Sequence, residues 1–214
     1  MRANIYSLNP MESHIEEAIR DGLGMITAYM GETIIMRSLL VRLPRDREGL
    51  VAPKRVGLAN LDPEVDLHVF AVPLQGPEET IGTSPFEKGV SYIDTRSQDE
   101  KIMRSVTAHE VLHSLGFVLS GSDHEDSTSR NHCSDKSCIM HAKLEVLIET
   151  ARQITQRRLF ERKLVRSSSR EQSSILKLVN GQYDLCQDCK IDLREAGQSK
   201  LSSIRHARLI CGLF

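Results

Sequence analysis

At 214 residues the chain can bury one full core and fits one domain, with room for a smaller appended lobe. Hydrophobic residues make up 40% and charged residues 27%, the balance of an ordinary soluble protein. No apolar stretch approaches the roughly 20 residues that span a bilayer. Net charge is −1 but uneven: residues 141–214 carry 14 Lys and Arg against 8 Asp and Glu, and residues 1–140 carry 14 against 21. This asymmetry reads as basic helices with solvated faces rather than as a surface for nucleic acid or another acidic partner.

The first 22 residues contain no basic region followed by an apolar run, so they do not read as a signal peptide and a cytoplasmic location is expected. Five cysteines in a reducing compartment are thiols or metal ligands rather than disulfides. Residues 13–30 place Ile15, Ala18, Ile19, Leu23, Ile26 and Met30 at spacings of three and four, which predicts an amphipathic helix despite Gly22 and Gly24. Residues 33–42 read as a strand, and residues 43–64, with three prolines among charges, as a loop. Residues 65–74 are β-branched and apolar enough for a buried strand. Residues 89–96 alternate Val90, Tyr92 and Asp94 against Ser91, Ile93 and Thr95, which predicts an edge strand. A helix is expected over about 99–115, a polar loop over 117–139, a helix over 142–165, a break at 167–174 and a last helix over about 190–209. One helix, three strands and then helices predict an α/β-like N-terminal part and a helical C-terminal part.

The chemistry centres on His109-Glu110-Val-Leu-His113-Ser-Leu-Gly116. Residues four apart share one face of a helix, so His109 and His113 can present both imidazoles to one metal ion. Glu110 is offset from that face but close enough to take a proton from a water activated there. Val106, Leu112 and Leu115 give the helix an apolar side, and Gly116 suits a left-handed helix end. A catalytic zinc needs a third protein ligand. The spacing HExxHxxGxxH would put it at position 119, which is Leu119. His124, His132 and His141 lie shortly downstream, as do Asp123 and Asp126.

The order of HEVLHSLG (109–116), HCSDKSCIM (132–140) and CQDC (186–189) resembles the archaemetzincins, a metzincin subgroup. The resemblance implies a metzincin-like α+β fold in one catalytic unit. Residues 1–116 would form an N-terminal subdomain with a mixed sheet and the active-site helix, and residues 117–214 a helical C-terminal subdomain. It implies a zinc-dependent metallopeptidase in which His109, His113 and His132 hold the catalytic zinc and Glu110 is the general base. Met140 would be the Met-turn residue under the ligands. Cys133, Cys138, Cys186 and Cys189 would hold a second, structural zinc, with Cys211 left as a free thiol. The substrate would be a peptide laid along residues 89–96. Tyr92 is expected in packing rather than at the oxyanion, and His68 as a core or cleft-wall histidine.

Two spacings depart from that pattern. Fifteen residues separate Gly116 from His132 where the pattern has two, which keeps His124 a rival ligand, and 45 residues separate Met140 from Cys186. Lengthening a surface loop costs little, about 0.6 kcal/mol per doubling. Two other readings stand beside this one. The first is a gluzincin-type peptidase using Glu145 or Glu149 as third ligand. The second is a non-catalytic, zinc-stabilised binding module.

Overall fold

The computed structural model describes residues 1–53, 56, 61–75, 82–85, 88–96, 99–118, 121–142 and 184–211. Strands β1 (Arg2–Ser7), β2 (Ile35–Leu40), β3 (Leu67–Val72), β4 (Gly82–Thr83) and β5 (Val90–Asp94) form one sheet in the order β2-β1-β3-β5-β4. The first four in that order are parallel, and β4 closes the sheet antiparallel to β5. Helices α1 (Ser13–Met30) and α2 (Glu100–Leu115) pack on one face, and α3 (Gln187–Cys211) lies against both. This is a mixed-sheet α+β fold, as expected.

The anticipated helices and strands over 13–30, 33–42, 65–74 and 99–115 are present, but two expectations need correction. The chain begins with β1, so a strand precedes the first helix, and β1 lies between β2 and β3. Residues 89–96 do not form the edge: β5 is buried along its length between β3 and β4, and β4 is the edge. The alternation in β5 misleads because its most polar residue, Asp94, is satisfied inside the fold. Asp94 accepts from Arg96 Nε at 2.7 Å, and its side chain also accepts from the backbone N–H of Arg96 at 3.0 Å.

Each sheet face has its own apolar layer. On the helix side, Ile5 and Val69 meet Ile19, Leu23 and Ile26 of α1 and Met103, Leu112 and Leu115 of α2. The stripe read along residues 13–30 is the buried side of α1. On the other side, the register Tyr6↔Phe70↔Tyr92 stacks three rings across β1, β3 and β5, with centroids 4.7 and 5.2 Å apart. Tyr92 therefore packs, and burial raises its hydroxyl pKa to about 12. His68 is fully buried at the end of this row, with Nδ1 2.9 Å from Tyr6 Oη.

Helix α2 is delimited by local chemistry. The Asp99 side chain accepts from the backbone N–H groups of Lys101 and Ile102 at 3.0 and 3.1 Å, capping its N-terminus. Gly116 ends it at φ 81°, a left-handed conformation that glycine adopts without a Cβ penalty. Helix α3 starts at Gln187, three residues before the expected position, so Cys189 lies in its first turn. The helix expected over 142–165 and the break at 167–174 lie outside the described residues.

Candidate metal centres

Helix α2 presents His109 and His113 one turn apart, and the turn at 129–132 brings His132 to the same point. His113 Nε2 lies 3.0 Å from His109 Nε2 and 3.2 Å from His132 Nε2. One nitrogen from each ring falls within a 4.8 Å cluster. For zinc–nitrogen bonds of about 2.0–2.1 Å, a tetrahedron has edges of about 3.3–3.4 Å, so these separations fit three ligands of one ion.

The other ring nitrogens are held in place. His109 donates Nδ1–H to the Ile139 carbonyl at 2.7 Å, leaving Nε2 with its lone pair facing the cluster. His132 Nδ1 lies 3.0 Å from the Arg130 carbonyl and 3.1 Å from Ser129 Oγ. Burial pushes the pKa of His109 down to about 4 and that of His113 to about 2, and neighbouring rings add like-charge repulsion. Both are therefore neutral at pH 7, the form that binds a metal.

Glu110 follows His109 on α2 and is buried. Its side chain runs beneath the edge strand: a Cβ placed on Gly82 would stand 2.6 Å from Glu110 Cγ and 3.0 Å from Oε1. The carboxylate is thus enclosed between α2 and β4.

A second cluster joins the 133–138 segment to the start of α3. Cys133, Cys138, Cys186 and Cys189 place their sulfurs within 4.8 Å of one another and are free thiols. Cys133 and Cys186 are 3.6 Å apart at Sγ, as are Cys138 and Cys189. A tetrahedral site with zinc–sulfur bonds of about 2.3 Å has edges of about 3.8 Å, so this set also fits one ion. Backbone N–H groups point at the sulfurs: Asp135 to Cys133 at 3.4 Å, Met140 and Cys186 to Cys138 at 3.4 and 3.3 Å, and Cys189 to Cys186 at 3.5 Å. Such donors favour thiolates. Hydrogen bonding from Cys138 lowers Cys133 to about 7, and Cys133 and its neighbours lower Cys186, whereas Cys138 and Cys189 are raised.

The segment 132–140 serves both clusters. His132 faces the histidines, Cys133 and Cys138 face the thiols, and the carbonyl of Ile139 orients His109. Met140 is buried, and its carbonyl accepts from the Cys133 N–H at 2.8 Å.

The other candidate ligands stand elsewhere. His124 lies at the thiol cluster, with Nε2 2.9 Å from Asp192 Oδ2 of α3 and Nδ1 3.7 Å from Cys189 Sγ. Asp126 caps a local turn, accepting from the Thr128 N–H at 2.8 Å. His141 is buried, and its backbone N–H donates to the Cys138 carbonyl at 3.0 Å. Asp123 is absent from both clusters. Leu119, Glu145 and Glu149 lie outside the described residues. The Ile139 carbonyl, the His124–Asp192 pair and Gly82 were not anticipated, because neither a main-chain acceptor nor a close approach leaves a sequence signal.

No protein-family model matches the chain, and no curated protein matches it. Among solved structures, an archaemetzincin from Methanopyrus kandleri matches with a TM-score of 0.57 at 16% identity, covering 94% of this chain and 96% of that one. A zinc-dependent peptidase from Methanocorpusculum labreanum matches with a TM-score of 0.50 at 13% identity, covering 90% and 100%. The likeness is one of fold along nearly the whole of each chain, and the histidine and cysteine clusters are consistent with it.

Proposed function

From the premise of an archaemetzincin fold, we propose that this chain is a zinc-dependent metallopeptidase that hydrolyses peptide bonds. His109, His113 and His132 hold the catalytic zinc and Glu110 is the general base. The observation that carries the reading is the convergence of three imidazole nitrogens beside a buried carboxylate. Zinc held there supplies Lewis-acid polarisation of a carbonyl and brings the pKa of water towards about 7. Glu110 takes the proton of the attacking water on its carboxylate and passes it to the leaving amine nitrogen. The Ile139 carbonyl keeps His109 in the tautomer that faces the site.

The substrate is a peptide that pairs in extended form with the sheet edge at β4, which the fold puts where residues 89–96 were expected. Met140 is the apolar floor behind the ligands, and the four cysteines hold a structural zinc. Among the described residues no helix is long and apolar enough to cross a membrane, and a zinc held by four thiolates suits a reducing, cytoplasmic location. The 1–116 and 117–214 segments act as two parts of one catalytic unit.

Elemental analysis with peptidase assay tests the reading. The wild type is expected to hold two zincs, and His132→Ala one. Glu110→Gln should keep both and lose activity by about 10²–10⁴-fold. One zinc in wild type and His132→Ala alike, or full activity in Glu110→Gln, would overturn it.

A further inference from the structure

Gly82 is the point at which the edge strand meets the side chain of Glu110. A Cβ there would stand 2.6 Å from Glu110 Cγ, 3.0 Å from Glu110 Oε1 and 3.0 Å from Val106 Cγ1. Carbon atoms in good contact sit about 3.5–4.0 Å apart, so the methyl and the present Glu110 rotamer exclude each other. The backbone does not itself require glycine: Gly82 has no positive φ and pairs regularly with Ile93 of β5. The requirement comes from the neighbouring side chains of α2, Glu110 foremost and Val106 beside it.

Helix α2 has little room to relieve such a clash by sliding. On another of its faces it is seated against α1 at Gly22, where a Cβ would stand 2.7 Å from the Arg104 carbonyl oxygen and 2.9 Å from Thr107 Cβ. Strand β4 is likewise tied to β5. The groups left to yield are side chains, and Glu110 is the one pressed hardest, its Cγ at 2.6 Å against 3.0 Å for the Val106 methyl.

We propose that Gly82 is a positioning residue for the base: its missing side chain sets how far the Glu110 carboxylate reaches under the edge strand. The functional meaning rests on the peptidase reading, whereas the contact does not. A base displaced by about 1 Å loses on the order of 10²-fold in rate.

The test uses the full zinc-loaded chain with Gly82→Ala, and Gly24→Ala as control, since a Cβ at Gly24 meets nothing within 4 Å. Three readouts are taken: zinc content, kcat against KM, and calorimetric affinity for acetohydroxamate, a zinc-binding probe that also hydrogen-bonds the base and needs no turnover. Gly82→Ala should keep its zinc, lose kcat by about 10²-fold with KM within about threefold, and bind the hydroxamate as weakly as Glu110→Gln does. Glu110→Asp, one methylene shorter, should then cost little more in the Gly82→Ala background than Gly82→Ala alone. Unchanged kcat and hydroxamate affinity, or fully additive losses in the double variant, would overturn the proposal. Should Gly82→Ala shed zinc or unfold, the double variant decides: recovery of zinc and Tm supports it, and no recovery overturns it. A wild type without peptidase activity whose hydroxamate affinity still falls with Gly82→Ala would sink the peptidase reading and leave this one standing.

Discussion

His109 and His113 are neutral because burial outweighs the hydrogen bonds that would favour their charged forms, with pKa values of about 4 and about 2 against an ordinary 6.5. The folded value is the lower one, so their contribution to stability is complete above pH 6.5 and is lost as pH falls towards the folded values. In the chelator-treated chain, Tm should therefore decline between pH 6.5 and 4.5, by roughly 2–3 kcal/mol of stability per ring at the acid end. The Asp184 carboxylate, lowered from 3.8, acts mainly below that window, and Glu16, lowered from 4.5, enters only at its acid end. The pKa of His124 is raised against its Asp192 partner, so its contribution is present below 6.5 and fades at higher pH. A Tm flat from pH 6.5 to 4.5, read by scanning calorimetry, would contradict the burial argument. At this scale the site was half legible. The pair at 109 and 113 follows from helical period alone, since one turn returns a side chain to the same face. His132 was reached only through its junction with Cys133, because a 15-residue connection carries no geometric information about where it returns.

Contacts between elements depend on where side chains are missing. Gly22 lies mid-helix, where glycine costs about 0.5–1 kcal/mol relative to alanine, yet a Cβ would meet the Arg104 carbonyl of α2 at 2.7 Å. Gly24, two residues on, has no such neighbour. Gly22→Ala should therefore destabilise by about 1–3 kcal/mol through overpacking, and Gly24→Ala should stabilise by about 0.4–1 kcal/mol through the unfolded chain. Urea unfolding of the two variants checks this, and the same sign for both would refute it. In the sequence these two residues looked alike, as exceptions within one amphipathic stripe, because a close approach to a distant helix has no local pattern. Strand β1 was missed for a related reason. Arg2, Asn4 and Ser7 break its apolar character, and the fold satisfies Asn4 by a 3.0 Å hydrogen bond to Tyr6 Oη. With two residues, β4 is too short for any period to show.

Across the whole molecule, the thiol cluster joins segments far apart in the chain: Cys133 and Cys186 are 53 positions apart, and Cys138 and Cys189 are 51. It fastens α3 to the turn that carries His132, and α3 in turn meets α1, where Tyr29 and Lys190 both bind Asp184 at 2.7 and 2.8 Å. The helix-side core follows the same path, running from Ala3 and Ile5 through α1 and α2 to Cys138, Met140, Cys189 and Leu193. A zinc at the cysteines would act on this shared core as a cross-link, and its loss should be felt at the histidines as well. Cys189→Ser should lower the zinc content from two to one, and it should reduce stability by ~3–5 kcal/mol, a fall in Tm of roughly 6–20 °C. Isolated zinc modules depend on their metal for about 10–16 kcal/mol, but here the apolar core and the Asp184 contacts hold part of the same junction. The remaining zinc should also leave faster to a chelator than it does from wild type, because His132 and the Ile139 carbonyl that orients His109 sit on the loosened segment. The contrasting variant is His132→Ala, which removes a ligand without touching the thiols and should leave Tm closer to wild type. Two zincs retained in Cys189→Ser, or an unchanged Tm, would show that the thiols do not form a metal cross-link.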